Sequence, residues 1–225
     1  MAAAVTMDAP TASAVVDACA AAIVMAGVGL AATRSLGRSI WLVAIQSVLT
    51  GVAALAVGLA TGADHLLIGG LLAIGVKGVV VPYVLRLVLR RSPVRRERQP
   101  ILGPRASLVA AVAIIFAASA AADGALLGSG IAASRALSVA IAQVLTGLLI
   151  VMTRRKALSL VVGLLVFENG IALTAFSLTY GMPLVVELGV LFDLLIAVVV
   201  AWVYAGRMVD VLGSTSTDRL RDLRG

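Results

Sequence analysis

One cysteine and one histidine in 225 residues leave little room for redox or metal chemistry. Cys19 lies inside the first apolar stretch, cannot form a disulfide within the chain, and one thiol cannot hold a zinc or iron–sulfur centre. His65 stands beside Asp64 with no second histidine, so one histidine cannot provide a bis-histidine axial pair for a haem. Charged residues are scarce too, at 13%, where soluble domains carry roughly a quarter. Aromatic residues make up only 4%. No nucleophile–base pair, metal-ligand cluster or phosphate-cradling loop is visible. GVGLAATRSLG has closely spaced glycines, but no strand precedes it, so it reads as small-residue packing rather than a dinucleotide site. The expectation is a chain without a catalytic centre or a cofactor of its own.

What is abundant is aliphatic. Hydrophobic residues make up 61% of the chain and the mean hydropathy is +1.11, values of an integral membrane protein. Ala, Val, Leu and Gly dominate, which suits helices packed closely through small contact residues. Stretches long enough to span a bilayer run over 12–33, 40–62, 65–89, 106–123, 131–152, 157–179 and 184–206. The predicted fold is therefore all-α: a polytopic membrane protein with about seven transmembrane helices in a single domain. Residues 1–105 hold the first three spans and a basic loop, 106–210 the last four, and 211–225 a polar tail. The N-terminus has no positive segment, carries Asp8 and Asp17, and leads into a span too long for a signal peptide, so it is read as retained.

The formal net charge of +7 does not point to nucleic acid, because the basic residues sit beside spans. Arg34 and Arg38 follow the first span and the run from Arg86 to Arg105 follows the third; Arg154, Arg155 and Lys156 follow the fifth, and Arg207 the seventh. The intervening links hold Asp64, His65, Asp123 and the uncharged LTYGMP, and Arg135 is the one exception. Positive charge on every second side places the N-terminus outside and the C-terminus in the cytoplasm. The loop RRSPVRRERQPILGPR reads as an anchor on anionic lipid head groups or as a docking site for an acidic partner.

Against this apolar background four ionisable residues stand out. A charge at bilayer depth is costly unless it is paired, protonated or hydrated, and such groups tend to mark ion or proton paths. Lys77 lies 12 residues into the third span, roughly 18 Å from the outer face at about 1.5 Å per residue. Glu168 and Asp193 fall near the midplane of the sixth and seventh spans, while Glu187 is closer to the outer surface. A lysine at the midplane cannot snorkel out, so Lys77 must face protein or water, and an ion pair with one of the acids is the structural reading of it. Pro82, together with Gly75 and Gly78, predicts a kinked third span beside a polar cavity. Glu187 and Asp193 face about 120° apart and cannot form one two-carboxylate site. Asn169 and Gln143 read as interhelical hydrogen-bond partners rather than ligands.

Five segments carry a family resemblance. VFENG at 166–170, followed by GMPLVVELGVLFDLLIAV at 181–198, resembles the hydrogenase 4 component E family, as do GVKGVVVP at 75–82, Gly103–Pro104 and the terminal LRDLRG. The last three spans also look like the small K subunit of respiratory complex I and its relative in Mrp-type antiporters, where two glutamates on successive helices take part in coupled proton movement. Asp193 matches the second of these. The first aligns with Leu165, and the acid here is Glu168, nearly one turn on.

The resemblance implies a non-redox subunit of an ion-pumping, membrane-bound oxidoreductase in a bacterial or archaeal plasma membrane. Protons would pass laterally along Lys77, Glu168 and Asp193. Expected partners are antiporter-like and H-type membrane subunits, hydrogenase-like cytoplasmic subunits, and the bilayer. A purely structural scaffold and an Mrp-type antiporter subunit remain as alternatives. Reporter fusions at residue 225 and in the 90–105 loop should both report cytoplasm. An outside signal from either overturns the topology.

Overall fold

The computed structural model describes residues 7–91, 101–125 and 131–178; Glu187, Asp193 and the predicted seventh span lie outside them. The described residues form helices α1 (Ala9–Ala32), α2 (Leu36–Thr61), α3 (Asp64–Leu72), α4 (Val81–Arg91), α5 (Pro104–Ala125), α6 (Ile131–Thr153) and α7 (Ala157–Leu178). A π-helical segment, Ala73–Val80, joins α3 to α4, so the predicted third span is one continuous rod. Five helices in this set are long and apolar enough to cross a membrane: α1, α2, the α3–α4 rod, α5 and α7. In α6, the described apolar stretch Leu137–Thr153 is shorter. Among the described residues there is no β-strand.

Local chemistry fixes the helix ends. Proline stands in the first turn of α1 and opens α5, where its missing N–H is one that no helical carbonyl would have received. At the end of α2, Gly62 takes a left-handed conformation with φ 70°, and its N–H returns to the Gly58 carbonyl. Helix α2 begins ahead of the apolar stretch seen in sequence because Arg38 belongs to its first turn rather than to a loop.

Helices α2 and α7 form the inside of the bundle. Their apolar windows are 56% buried, against 17% for the α3–α4 rod and 22% for α5. Helix α2 packs on α1, α3, the π segment, α4 and α7, while α6 pairs with α7 and touches α1 and α5. The apolar core gathers Leu30, Ile40, Val43, Leu85, Ile150, Val162, Leu165 and Val166. Large apolar side chains such as Met25, Leu71, Tyr83, Val109 and Phe116 point outward, as lipid-facing positions do.

The close approaches run through glycine. A Cβ on Gly51 would sit 2.7 Å from the Gly70 carbonyl, and one on Gly70 would sit 2.8 Å from the Gly51 carbonyl. That reciprocal contact presses α3 against α2 and so sets where the π segment lies. Gly75, by contrast, would meet nothing within 4 Å.

One end of the bundle collects the basic residues. The ends of α1, α2, α4 and α6 converge there, tied by Arg154 reaching the α1 terminus and by Arg86 lying over Trp41. The opposite end holds Met7, whose N–H reaches the Leu59 carbonyl, with Asp64 nearby in sequence.

Gly51→Val should lower thermal stability in detergent by about 1–3 kcal/mol through overpacking, while Gly75→Ala should leave it unchanged or slightly raised. Thermal exposure of Cys19, the single and buried thiol, to a maleimide dye reads the difference. Equal unfolding temperatures for the two variants would show that this contact does not set the packing.

Candidate functional site

The apolar run of α2 is interrupted by Gln46, Ser47 and Thr50, which are at most 2% exposed. Gln46 and Thr50 share one face, and the Thr50 hydroxyl donates to the Gln46 carbonyl over 3.0 Å. Ser47 is turned about 100° from Gln46 and meets α7, where Asn169 Nδ2 donates to its hydroxyl at 3.0 Å. Next along α7 is Glu168, 2% exposed and directed at the π segment. Its Oε1 lies 2.5 Å from Lys77 Nζ, and the two residues are separated by 91 positions in sequence.

This ion pair is fully enclosed, with the two side chains 7% and 2% exposed. Removing two charges from water costs several kcal/mol each, and their attraction offsets this only at close, hydrogen-bonded geometry. A lysine and a glutamate sharing one hydrogen bond can exist as a charged pair or, after transfer of one proton along that bond, as a neutral pair.

A second contact set flanks the first. Gln46 Nε2 donates to the Ile23 carbonyl and to Gln143 Oε1, each over 3.2 Å. Gly27 makes the room, since a Cβ there would stand 3.2 Å from Gln143 Oε1. Gln46 Oε1, an acceptor, and Gln143 Nε2, a donor, are buried with no hydrogen bond to protein among the described residues. Helices α1, α2, α6 and α7 and the π segment thus share one polar layer inside an apolar bundle.

Of the residues singled out from sequence, the structure brings Lys77 and Glu168 together. Asn169 and Gln143 are interhelical partners as expected. Pro82 follows the π segment, whose closing bond runs from the Val81 N–H to the Val76 carbonyl; the helical irregularity therefore lies just ahead of the proline. Leu165 is 0% exposed within the apolar core, so an acid there would have no cation, whereas Glu168 reaches Lys77. Asp193 and Glu187 lie outside the described residues.

Three contributors were not anticipated. Gln46 and Ser47 were signalled by being polar in the middle of IWLVAIQSVL, the same signal that singled out Glu168. Arg154, read as a loop charge, is 8% exposed and donates from Nη2 to the Ala31 and Thr33 carbonyls at 2.9 Å each. It thereby satisfies carbonyls at the end of α1 that no helical N–H can reach. Only the fold could show that α1 ends beside it.

The uncharacterized protein Rv0085 of Mycobacterium tuberculosis (strain ATCC 25618 / H37Rv) is 34% identical over 214 residues, covering 94% of this chain and 97% of that one. Hydrogenase-4 component E of Escherichia coli (strain K12) is 27% identical over 163 residues, covering 72% of this chain and 76% of its own. The protein of the same name from Shigella flexneri matches to the same extent. The chain belongs to one family with the mycobacterial protein and is homologous to hydrogenase-4 component E. No family model matches it, and no solved structure does. As a family member it is a multi-pass membrane protein whose described interior is organised around Lys77–Glu168.

Lys77→Met leaves a carboxylate buried without its cation, and should lower the yield of folded protein and its thermal stability by about 3–5 kcal/mol. Adding Glu168→Gln should recover most of that loss, because two uncharged polar groups can be buried at less expense. A double variant no more stable than Lys77→Met alone would mean that the pair is not the source of the destabilisation.

Proposed function

We propose that this chain is a membrane subunit of an ion-pumping, complex I-like oxidoreductase, in which Lys77 and Glu168 form one step of a lateral proton path. The observation that carries the reading is a lysine and a glutamate sealed inside the bundle and joined by a 2.5 Å hydrogen bond. Isolated charges at this depth are selected against, and one retained pair that can interconvert with its neutral form suits stepwise proton movement. Homology to hydrogenase-4 component E supports membership of a membrane complex. The polar layer from Gln143 to Asn169 supports a hydrated route, because amide and hydroxyl groups in hydrocarbon must otherwise be satisfied within the protein.

In this reading the chain crosses the plasma membrane of a bacterium or archaeon seven times, with its C-terminus in the cytoplasm. Asp193 is the next titratable group after Glu168, and Glu187 lies nearer the outer exit. Antiporter-like and H-type membrane subunits flank it, and redox centres sit in hydrogenase-like cytoplasmic partners. A scaffold reading competes on one specific observation: Lys77 and Glu168 join the π segment to α7, two elements otherwise held together through α2.

Translocation measured per assembled complex separates the two. Glu168→Gln and Asp193→Asn keep volume and hydrogen bonding but remove the titratable proton. Each should lower proton translocation per complex about tenfold for every ~1.4 kcal/mol added to a step. Wild-type rates per complex in both variants, at whatever level of assembly, would establish the scaffold instead.

A further inference from the structure

We propose that the groove between the start of α2 and the end of α4 is a binding site for the phosphate headgroup of an anionic phospholipid. The groove opens at the basic end of the bundle with a volume of about 560 Å³, and Arg38, Arg86 and Arg90 line it together with Trp41 and Leu89. Among the described residues that line it there is no carboxylate. Among the described residues none of the three arginines makes a salt bridge.

Helix geometry gathers these groups on facing surfaces. Arg86 and Arg90 are four residues apart on α4 and share a face, as do Arg38 and Trp41, three apart on α2. Trp41 is 55% exposed, and the Arg86 guanidinium carbon sits 3.8 Å from its ring centroid. Such stacking holds the planar fork of the arginine in place while leaving its edge N–H groups to bind an anion. Planar guanidinium groups match phosphate oxygens two at a time, and three of them meeting in one groove form a binding site rather than a diffuse positive surface.

Depth decides between a lipid and a free anion. Trp is the residue type of the membrane interface, where an apolar ring carries a polar edge. Toward the bundle centre, α2 continues with Ile45, 46% exposed, and α4 begins near Tyr83, 69% exposed. These lie one turn below Trp41 and Arg86 on the same faces, so a headgroup seated among the arginines leaves its acyl chains against apolar side chains that already face lipid. A dissolved phosphate would use the arginines but not that surface. Basic pockets between transmembrane helices at a membrane surface bind anionic headgroups by the same logic.

The test is lipid retention by the full-length chain, purified in mild detergent alone and as part of its native complex. Phosphatidylglycerol, cardiolipin or phosphatidylcholine is added, and bound lipid is counted by native mass spectrometry. The expected result is at least tenfold preference for the anionic lipids in both preparations. Arg86→Gln and the triple variant Arg38→Gln/Arg86→Gln/Arg90→Gln should lower it fivefold or more, and Arg105→Gln, an exposed arginine outside the groove, should not. Arg86→Lys keeps the charge without the planar fork, so it should show an intermediate loss and serve if the triple variant fails to fold. Equal retention of phosphatidylcholine, undiminished retention in Arg86→Gln, or displacement of the anionic lipid by millimolar inorganic phosphate overturns the proposal. So does a native complex that holds another subunit, and no lipid, in this groove.

Discussion

A charge placed in hydrocarbon has to be answered by another group on the same protein, and much of this bundle follows from that constraint. Lys77 cannot reach water from the middle of the third rod, so the rod must bring it to an acid. Glu168 cannot stand alone on α7, so α7 must present it to the rod. Meeting both requirements fixes the relative height of two elements that are far apart in sequence, and the helices between them have to fit. Helix α2 is the spacer that makes this possible. It is deeply buried, touches nearly every neighbour and carries the amides and hydroxyls of the polar layer.

The basic end and the interior then differ in kind. At the basic end, arginines close off backbone carbonyls, stack on an interfacial tryptophan and line a groove. In the interior, polarity is confined to groups that hold one another. Between these levels the contacts are glycine to backbone or aliphatic to aliphatic, which specify distance but carry no chemistry. The helix ends at the basic side are therefore held partly by arginine to carbonyl contacts, as in the Arg154 bonds to α1, and not by apolar packing alone.

Much of this was legible from sequence, for physical reasons that also mark the limits. Hydropathy located the six described helical rods to within about four residues, because a membrane makes apolar length the main requirement for a span. Lys77 and Glu168 stood out because a charge in an aliphatic run has no local explanation. Their pairing with each other was not legible, since they lie 91 positions apart on different helices and sequence carries no interhelical register. Gln46 was overlooked because an amide is a weaker anomaly than a charge. Arg154 and Arg38 were misplaced because charge near a span end reads as loop, while a long guanidinium can lie along a helix and bond inward. The π segment had no clear signature beyond the nearby proline and glycines.

That segment couples the winding of a helix to an electrostatic contact. A π turn accommodates more residues than an α turn, so the stretch from Ala73 to Val80 is underwound relative to the helices on either side. Tightening it by one residue would rotate whatever follows by about 100° relative to whatever precedes. Lys77 sits inside it, so the direction of its ammonium depends on how the segment is wound. Gly70 pins the near end against α2, and the contact of Arg86 with Trp41 holds the far end. The rod is thus clamped at two points with a torsional element between them, and the Lys77 ammonium lies on that element.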